Sequence, residues 1–300
     1  MVLALRRGER APGVVGSLLI TPQWLSQQMP DLSGLTLLGE GGQKWVFAGR
    51  HTQDGDVVIK LIKPSENIER TRREILAVRQ ISSPRVPAVL DVGMLHSPWS
   101  DIIWLRERRV SGESVREMIR ARGPLPKEEV LRLGLCVLEA LVDAARVRIV
   151  HRDVKPENIM RSNDGSYWLL DFGIARHLDL SSLTPSAALG GPGTLGYAPP
   201  EQFRNKKREL DGRADLFALA VTLVECISGR HPYRDGARDA PEVVRRIEGS
   251  PLVVPRIAWD PERRFSELVS SMGQRRVDCR PQDAMQALEW MKELHSVFGL

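Results

Sequence analysis

The segment His151-Arg152-Asp153-Val154-Lys155-Pro156-Glu157-Asn158 is followed, thirteen residues after Asn158, by Asp171-Phe172-Gly173. Asp153 and Asp171 supply two carboxylates, Asn158 an amide and Lys155 an ammonium group within this short stretch, and together they suit one kind of chemistry. One carboxylate can orient and deprotonate a hydroxyl, while the other, with the amide, can hold a hard cation such as Mg2+ against phosphate oxygens. Residues 159–162 and 166–170 read as short strands around Asn163-Asp164-Gly165, a hairpin turn signal that folds both motifs into one cleft. Either motif alone is an ordinary surface turn. Their order and separation carry the signal.

Two further segments suit a phosphate-bearing ligand. Leu38-Gly39-Glu40-Gly41-Gly42-Gln43-Lys44-Trp45-Val46-Phe47 is a Gly-rich hairpin, which taken alone is an ordinary turn but whose small residues leave room for backbone N–H groups to meet a ligand. Val57-Val58-Ile59-Lys60 is an apolar strand that delivers a lysine.

With these residues in place, the chain resembles the eukaryotic-like Ser/Thr protein kinases of bacteria from about residue 33 to about residue 297. The resemblance implies ATP and Mg2+ as cofactors, Asp153 as the base, and Asn158 and Asp171 as metal ligands. It implies that Leu38, Gly39, Glu40, Gly41, Gly42, Gln43, Lys44 and Val46 surround the nucleotide, with Val46 and the hinge enclosing adenine. Lys44 stands where the family has its third glycine, and its cation could approach the phosphates. Lys60 is implied to hold the α and β phosphates, with Glu74 as its ion-pair partner because Arg73-Glu74-Ile75-Leu76 matches the family pattern. Glu69 is the rival. The start of the hinge stays open among Arg106, Glu107 and Arg108.

On the substrate side, Lys155 is implied to contact the γ-phosphate and to mark Ser/Thr specificity. Gly193-Thr194-Leu195-Gly196-Tyr197-Ala198-Pro199-Pro200-Glu201 looks like the end of an activation segment. By the same resemblance Thr194 helps fix Asp153 and Lys155, Glu201 pairs with Arg280, and Asp215 braces the catalytic loop. Arg152 belongs to a cationic pocket that a phosphate on the segment would neutralise. Ser181, Ser182, Thr184 and Ser186 are the available hydroxyls, with Thr184 the first choice because Pro185 extends its backbone.

The elements that must position these residues follow from periodicity. From Thr36 the pattern is strand, Gly-rich turn, strand at 45–49, a turn at Asp54-Gly55, and strand at 57–62. Ser65 offers a cap for a helix through Gln80, and strands near 88–93 and 102–107 follow. After Gly112 the chain turns helical, with candidates at 114–122, 127–145, 211–228, 240–248, 265–272 and 281–296. This predicts an α+β, bilobal protein kinase-like fold: an antiparallel-sheet N-lobe and a helical C-lobe. The expected division is an N-terminal extension at 1–32, an N-lobe at 33–108 and a C-lobe at 109–300, hinged around Arg106 to Ser111.

Composition narrows the partners. A net charge of +5 comes from basic residues spread along the chain with no interleaved aromatic platform, so no nucleic acid is expected. The apolar stretches 131–145 and 214–228 are interrupted by acidic residues and fall short of a bilayer span, so no membrane span is expected. Cys136, Cys226 and Cys279 form no metal spacing; with no signal peptide they fit a reducing, cytoplasmic setting. The expected activity is transfer of the ATP γ-phosphate to protein hydroxyls, with autophosphorylation. A nucleotide-binding pseudokinase scaffold and an aminoglycoside-type small-molecule phosphotransferase are the alternatives, and the oligomeric state is open.

Overall fold

The computed structural model describes residues 20–63, 68–96, 101–172, 195–203 and 210–299. A helix α1 (Pro22–Gln28) leads into β1 (Leu32–Glu40), β2 (Lys44–His51), β3 (Gly55–Ile62), helix α2 (Ile68–Val78), β4 (Val89–His96) and β5 (Asp101–Arg108). The five strands form one sheet in the order β1-β2-β3-β5-β4, and each neighbouring pair is antiparallel.

Alternation along β3 divides this sheet into two faces. Val57, Ile59 and Leu61 join Phe47, Leu95 and Ile102 in a small core on one side. Lys60 and Ile62 point to the other side, where Ile62, Ile103 and Leu105 merge with the main core. Helix α1 covers the first face. Thr21 caps it by accepting from the Trp24 N–H at 3.1 Å, Pro22 sits at its first turn, and Leu25 is wholly buried. Residues 20–32, expected as an extension outside the lobe, therefore close the back of the sheet.

The crossing out of the sheet comes later than the sequence suggested. Pairing runs through Val57 opposite Arg108, and the Arg109 N–H donates to the Asp56 carbonyl at 3.1 Å. Arg106, Glu107 and Arg108 thus all belong to the strand. A short strand β6 (Gly112–Ser114) then pairs with β7 (Ile159–Ser162), which pairs with β8 (Tyr167–Leu169) around the anticipated turn, where Gly165 has φ 84°. A Cβ at Gly112 would lie 2.0 Å from the Arg161 carbonyl oxygen, so only glycine permits that close pairing.

The rest is helical: α3 (Val115–Arg122), α4 (Lys127–Arg146), α5 (Pro200–Phe203), α6 (Arg213–Ser228), α7 (Ala240–Gly249), α8 (Arg264–Met272) and α9 (Ala284–Val297). Ser114 and Glu117 form a reciprocal capping box that starts α3. Helix α6 is buried from Ala214 to Cys226, which explains its near-absence of an amphipathic stripe, and it ends on Gly229 in the left-handed region at φ 70°. Helices α4, α6, α8 and α9 pack together as the helical lobe. Cys136 and Cys226 are buried in it and Cys279 is exposed. No helix among the described residues is long and apolar enough to cross a membrane.

His231, after α6, is a titratable group buried in this core. Its Nδ1 accepts the N–H groups of Tyr233 at 3.1 Å and Arg234 at 3.2 Å, and its ring meets Tyr197 edge-on at 4.6 Å. Burial, then the positive charges of Arg234 and Arg116, push its pKa down to about 3, with Asp235 acting weakly the other way. The unfolded imidazole titrates near 6.5, so the neutral ring stabilises the fold above that pH, and this contribution is lost as pH falls toward 3. Urea unfolding at pH 7 and pH 5 is expected to differ by roughly 2 kcal/mol from this residue alone. A His231→Asn variant, which keeps an acceptor, should show a correspondingly shallower dependence. Equal slopes for parent and variant would contradict the assignment.

Candidate active site

Asp215 sits in the first turn of α6 and is 2% exposed. Its two carboxylate oxygens accept the backbone N–H groups of His151 and Arg152, each at 2.7 Å. Burial pushes its pKa up to about 7 against the pull of those two donors. Arg152 is thereby held at φ 65°, a left-handed conformation that costs a non-glycine residue free energy. The loop that follows is aimed by this contact.

Three residues of that loop converge. The Lys155 ammonium lies 2.9 Å from Asp153 Oδ2, and the Asn158 amide nitrogen donates to the same oxygen at 2.9 Å and to the Asp153 carbonyl at 2.8 Å. The amide nitrogen of Asn158 being spent on Asp153, its carbonyl oxygen is the atom left for a cation.

The second motif is tied to the first by two bonds. His151, wholly buried, contacts the Leu170 carbonyl through Nε2 at 2.8 Å while its Nδ1 accepts the Asp153 N–H at 3.2 Å. The Leu170 N–H in turn donates to the backbone carbonyl of Asn158 at 2.8 Å, and Phe172 packs edge-on against the His151 ring at 4.5 Å. Asp171, between them, is also left-handed, at φ 60°. Strained backbone at both motifs is characteristic of positions fixed for chemistry.

Lys60 is held differently from the expectation. Its ammonium bonds Glu107 and lies 2.8 Å from Asp171 Oδ1; it does not pair with Glu74. The sheet explains this. Lys60 lies opposite Leu105, so Glu107, two residues on, occupies the same face diagonally across the strand pair. Glu74 is half-buried on α2. Burial disfavours the charged lysine, but Asp171 and then Glu107 outweigh it and raise its pKa. Asp171 is likewise pushed up by burial, and the Lys44 and Lys60 ammonium groups outweigh that to hold it well below the usual carboxylate range.

The Gly-rich hairpin closes over this cluster. The Gly41 N–H donates to the Lys44 carbonyl at 2.9 Å. A Cβ at Gly39, Gly41 or Gly42 would meet nothing nearer than that carbonyl at 4.0 Å, so the chain's own packing does not demand glycine here. Open space above small residues suits an approaching ligand. Leu38 is 55% exposed, and Val46, opposite Lys60, shares its face of the sheet. Lys44 itself reaches down, 2.7 Å from Asp171 Oδ1.

The donor set fits a hard cation: one carboxylate and one amide oxygen, with no cluster of three or more acidic, His or Cys ligands among the described residues. That is what Mg2+ needs when nucleotide phosphates and water complete its shell.

Two supporting contacts anchor the substrate side. Arg280, 5% exposed, forks onto both oxygens of Glu201 at 2.6 and 2.9 Å. Arg116 on α3 joins Glu157 of the loop at 2.8 Å, Glu225 of α6 at 2.7 Å, and the Tyr197 hydroxyl, which also bonds Glu225. Sequence reading missed Arg116 and Glu107: an arginine on an exposed-looking helix and a glutamate in a charged strand carry no spacing signal. Thr194, Gly173 and the hydroxyls of residues 181–186 lie outside the described residues.

A family model described as a protein kinase domain matches residues 33–293. The chain is 33% identical over 252 residues to the probable serine/threonine-protein kinase PkwA of Thermomonospora curvata, covering 82% of this chain and 32% of that protein. A probable serine/threonine-protein kinase of Corynebacterium efficiens is 35% identical over 204 residues, 65% of this chain and 30% of that protein. The serine/threonine-protein kinase pkn3 of Myxococcus xanthus is 31% identical over 274 residues, 87% of this chain and 49% of the other. The chain thus spans about a third of the length of the first two relatives. A match across nearly the whole described fold, joined to a loop, an Asp-Phe motif and a strand lysine brought into one cleft, places this chain in the protein kinase family.

Proposed function

We propose that the chain is an ATP- and Mg2+-dependent protein serine/threonine kinase of the bacterial eukaryotic-like type, transferring the γ-phosphoryl group to hydroxyls of protein substrates in the cytoplasm. The observation that carries this is the convergence of Lys155 and Asn158 on Asp153, tied through His151 and Leu170 to an Asp171 that Lys60 approaches. Asp153 orients the acceptor hydroxyl and takes its proton. Lys155, already on Asp153, neutralises charge between base and transferring group. Asn158 and Asp171 would hold Mg2+, which when bound would supply charge neutralisation to the phosphates. Lys60, kept charged by its two carboxylates, positions the α and β phosphates. The open glycines and Val46 form the roof over the nucleotide, and Thr194 steadies Asp153 and Lys155. Most of the acceleration then comes from positioning and preorganised charge.

Asp153→Asn is expected to lower phosphotransfer to a protein substrate by about 10²–10⁴-fold, the usual cost of losing a positioned base. Asp171→Ala should abolish it by removing a metal ligand. Radiolabel incorporation by folded variants is the measurement, and parental rates in either would sink these roles. Label appearing on a metabolite in place of protein would redirect the reading to a small-molecule kinase.

Glu107→Gln leaves the buried Lys60 ammonium with a single carboxylate. It is expected to destabilise the protein by about 1–3 kcal/mol, as an incompletely satisfied buried charge does. A urea midpoint equal to the parent's would mean that Asp171 suffices.

A further inference from the structure

Two ammonium groups converge on one oxygen. Lys44 Nζ lies 2.7 Å and Lys60 Nζ 2.8 Å from Asp171 Oδ1. The register makes this possible. Lys44 opens β2, and by alternation it shares a face with Val46, which lies directly opposite Lys60. Adjacent strands thus send two cations down onto the carboxylate that the kinase reading assigns to Mg2+.

The charges around that carboxylate are already balanced, Lys44 and Lys60 against Asp171 and Glu107. A divalent cation entering beside Asp171 would meet two ammonium groups. The two lysines differ in their freedom to yield. Lys60 is 7% exposed in its side chain and bonded to Glu107 as well, whereas Lys44 is 27% exposed and Asp171 is its only ion-pair partner among the described residues. A flexible stem at the lip of a hairpin can withdraw where a buried, doubly held lysine cannot.

We infer that Lys44 is a tethered counter-ion: it occupies the Asp171 carboxylate while no divalent cation is bound and competes with that cation for it. This rests on the reading of Asp171 as a metal ligand. It gives the residue at the third glycine position a part in setting how much divalent metal the site requires. Repulsion between Lys44 and Lys60 keeps the contact weak enough to exchange.

The test is Mn2+ binding to the nucleotide-free, full-length chain, followed by loss of the free-ion EPR signal. Lys44→Met should tighten Mn2+ binding about two- to fivefold, the scale of a partly exposed ion pair. Lys44→Arg, which keeps the charge, should leave affinity at or below the parent's. In an Asp171→Asn background, where binding is weaker, Lys44→Met should have no effect, so the coupling between the two positions is itself the readout. Unchanged or weaker binding by Lys44→Met, with Asp171→Asn still weakening the site, would overturn the counter-ion role and leave the metal assignment standing. Binding insensitive to Asp171→Asn would remove the metal assignment and the inference with it.

Discussion

A carboxylate buried in the first turn of an apolar helix would ordinarily be a burden, since no water reaches it. Asp215 is satisfied by two backbone N–H groups of a single loop, each at 2.7 Å. Those bonds give a neighbouring loop without regular structure one fixed starting direction. From it follow the left-handed turn at Arg152, the inward His151 ring, and the placement of Asp153 within reach of Lys155 and Asn158. The rigidity of α6, buried over most of its length, is thereby passed to a loop that could not hold itself.

The other wall of the cleft depends on strand parity. Even positions of β3 face the cleft and odd positions the α1 side, so Lys60 and the apolar residues that bury the sheet do not compete for space. Antiparallel pairing with β5 then brings Glu107 beside Lys60 with no helix involved. The lysine is held by a glutamate of the adjacent hydrogen-bonded strand of its own sheet, and Asp171 reaches it from the opposite wall.

Much of this was legible in the sequence because it is written in local patterns. Alternation located β2, β3 and β5, the Asn163-Asp164-Gly165 turn located the β7–β8 hairpin, and runs of apolar residues located α4 and α6 within a residue or two. The fork of Arg280 onto Glu201 and the bond from Asp215 to the loop followed from family resemblance. What stayed hidden depends on register or on distant contacts. Helix α1 is seven residues long with a single buried leucine, too little for a periodic signal. The pairing of Lys60 with Glu107 over Glu74 required knowing which β5 residue lies diagonal to Lys60, and strongly charged flanks obscured that register. Arg116 gathers Glu157, Glu225 and Tyr197 from three separate stretches of chain.

The packing of Gly196 against His231 carries a consequence for how this sequence can change over time. A Cβ on residue 196 would lie 2.2 Å from the His231 Nε2 atom and 2.8 Å from Arg234 Cδ. The imidazole, for its part, is fixed by the two N–H groups it accepts. The two positions are not equivalent: a larger residue at 196 clashes until 231 has shrunk, whereas a smaller 231 can come first, at the cost of a void beside Tyr197 until 196 grows. The two sites should therefore vary as a correlated pair across descendants of this chain, with substitution order constrained to pass through the void and never through the clash.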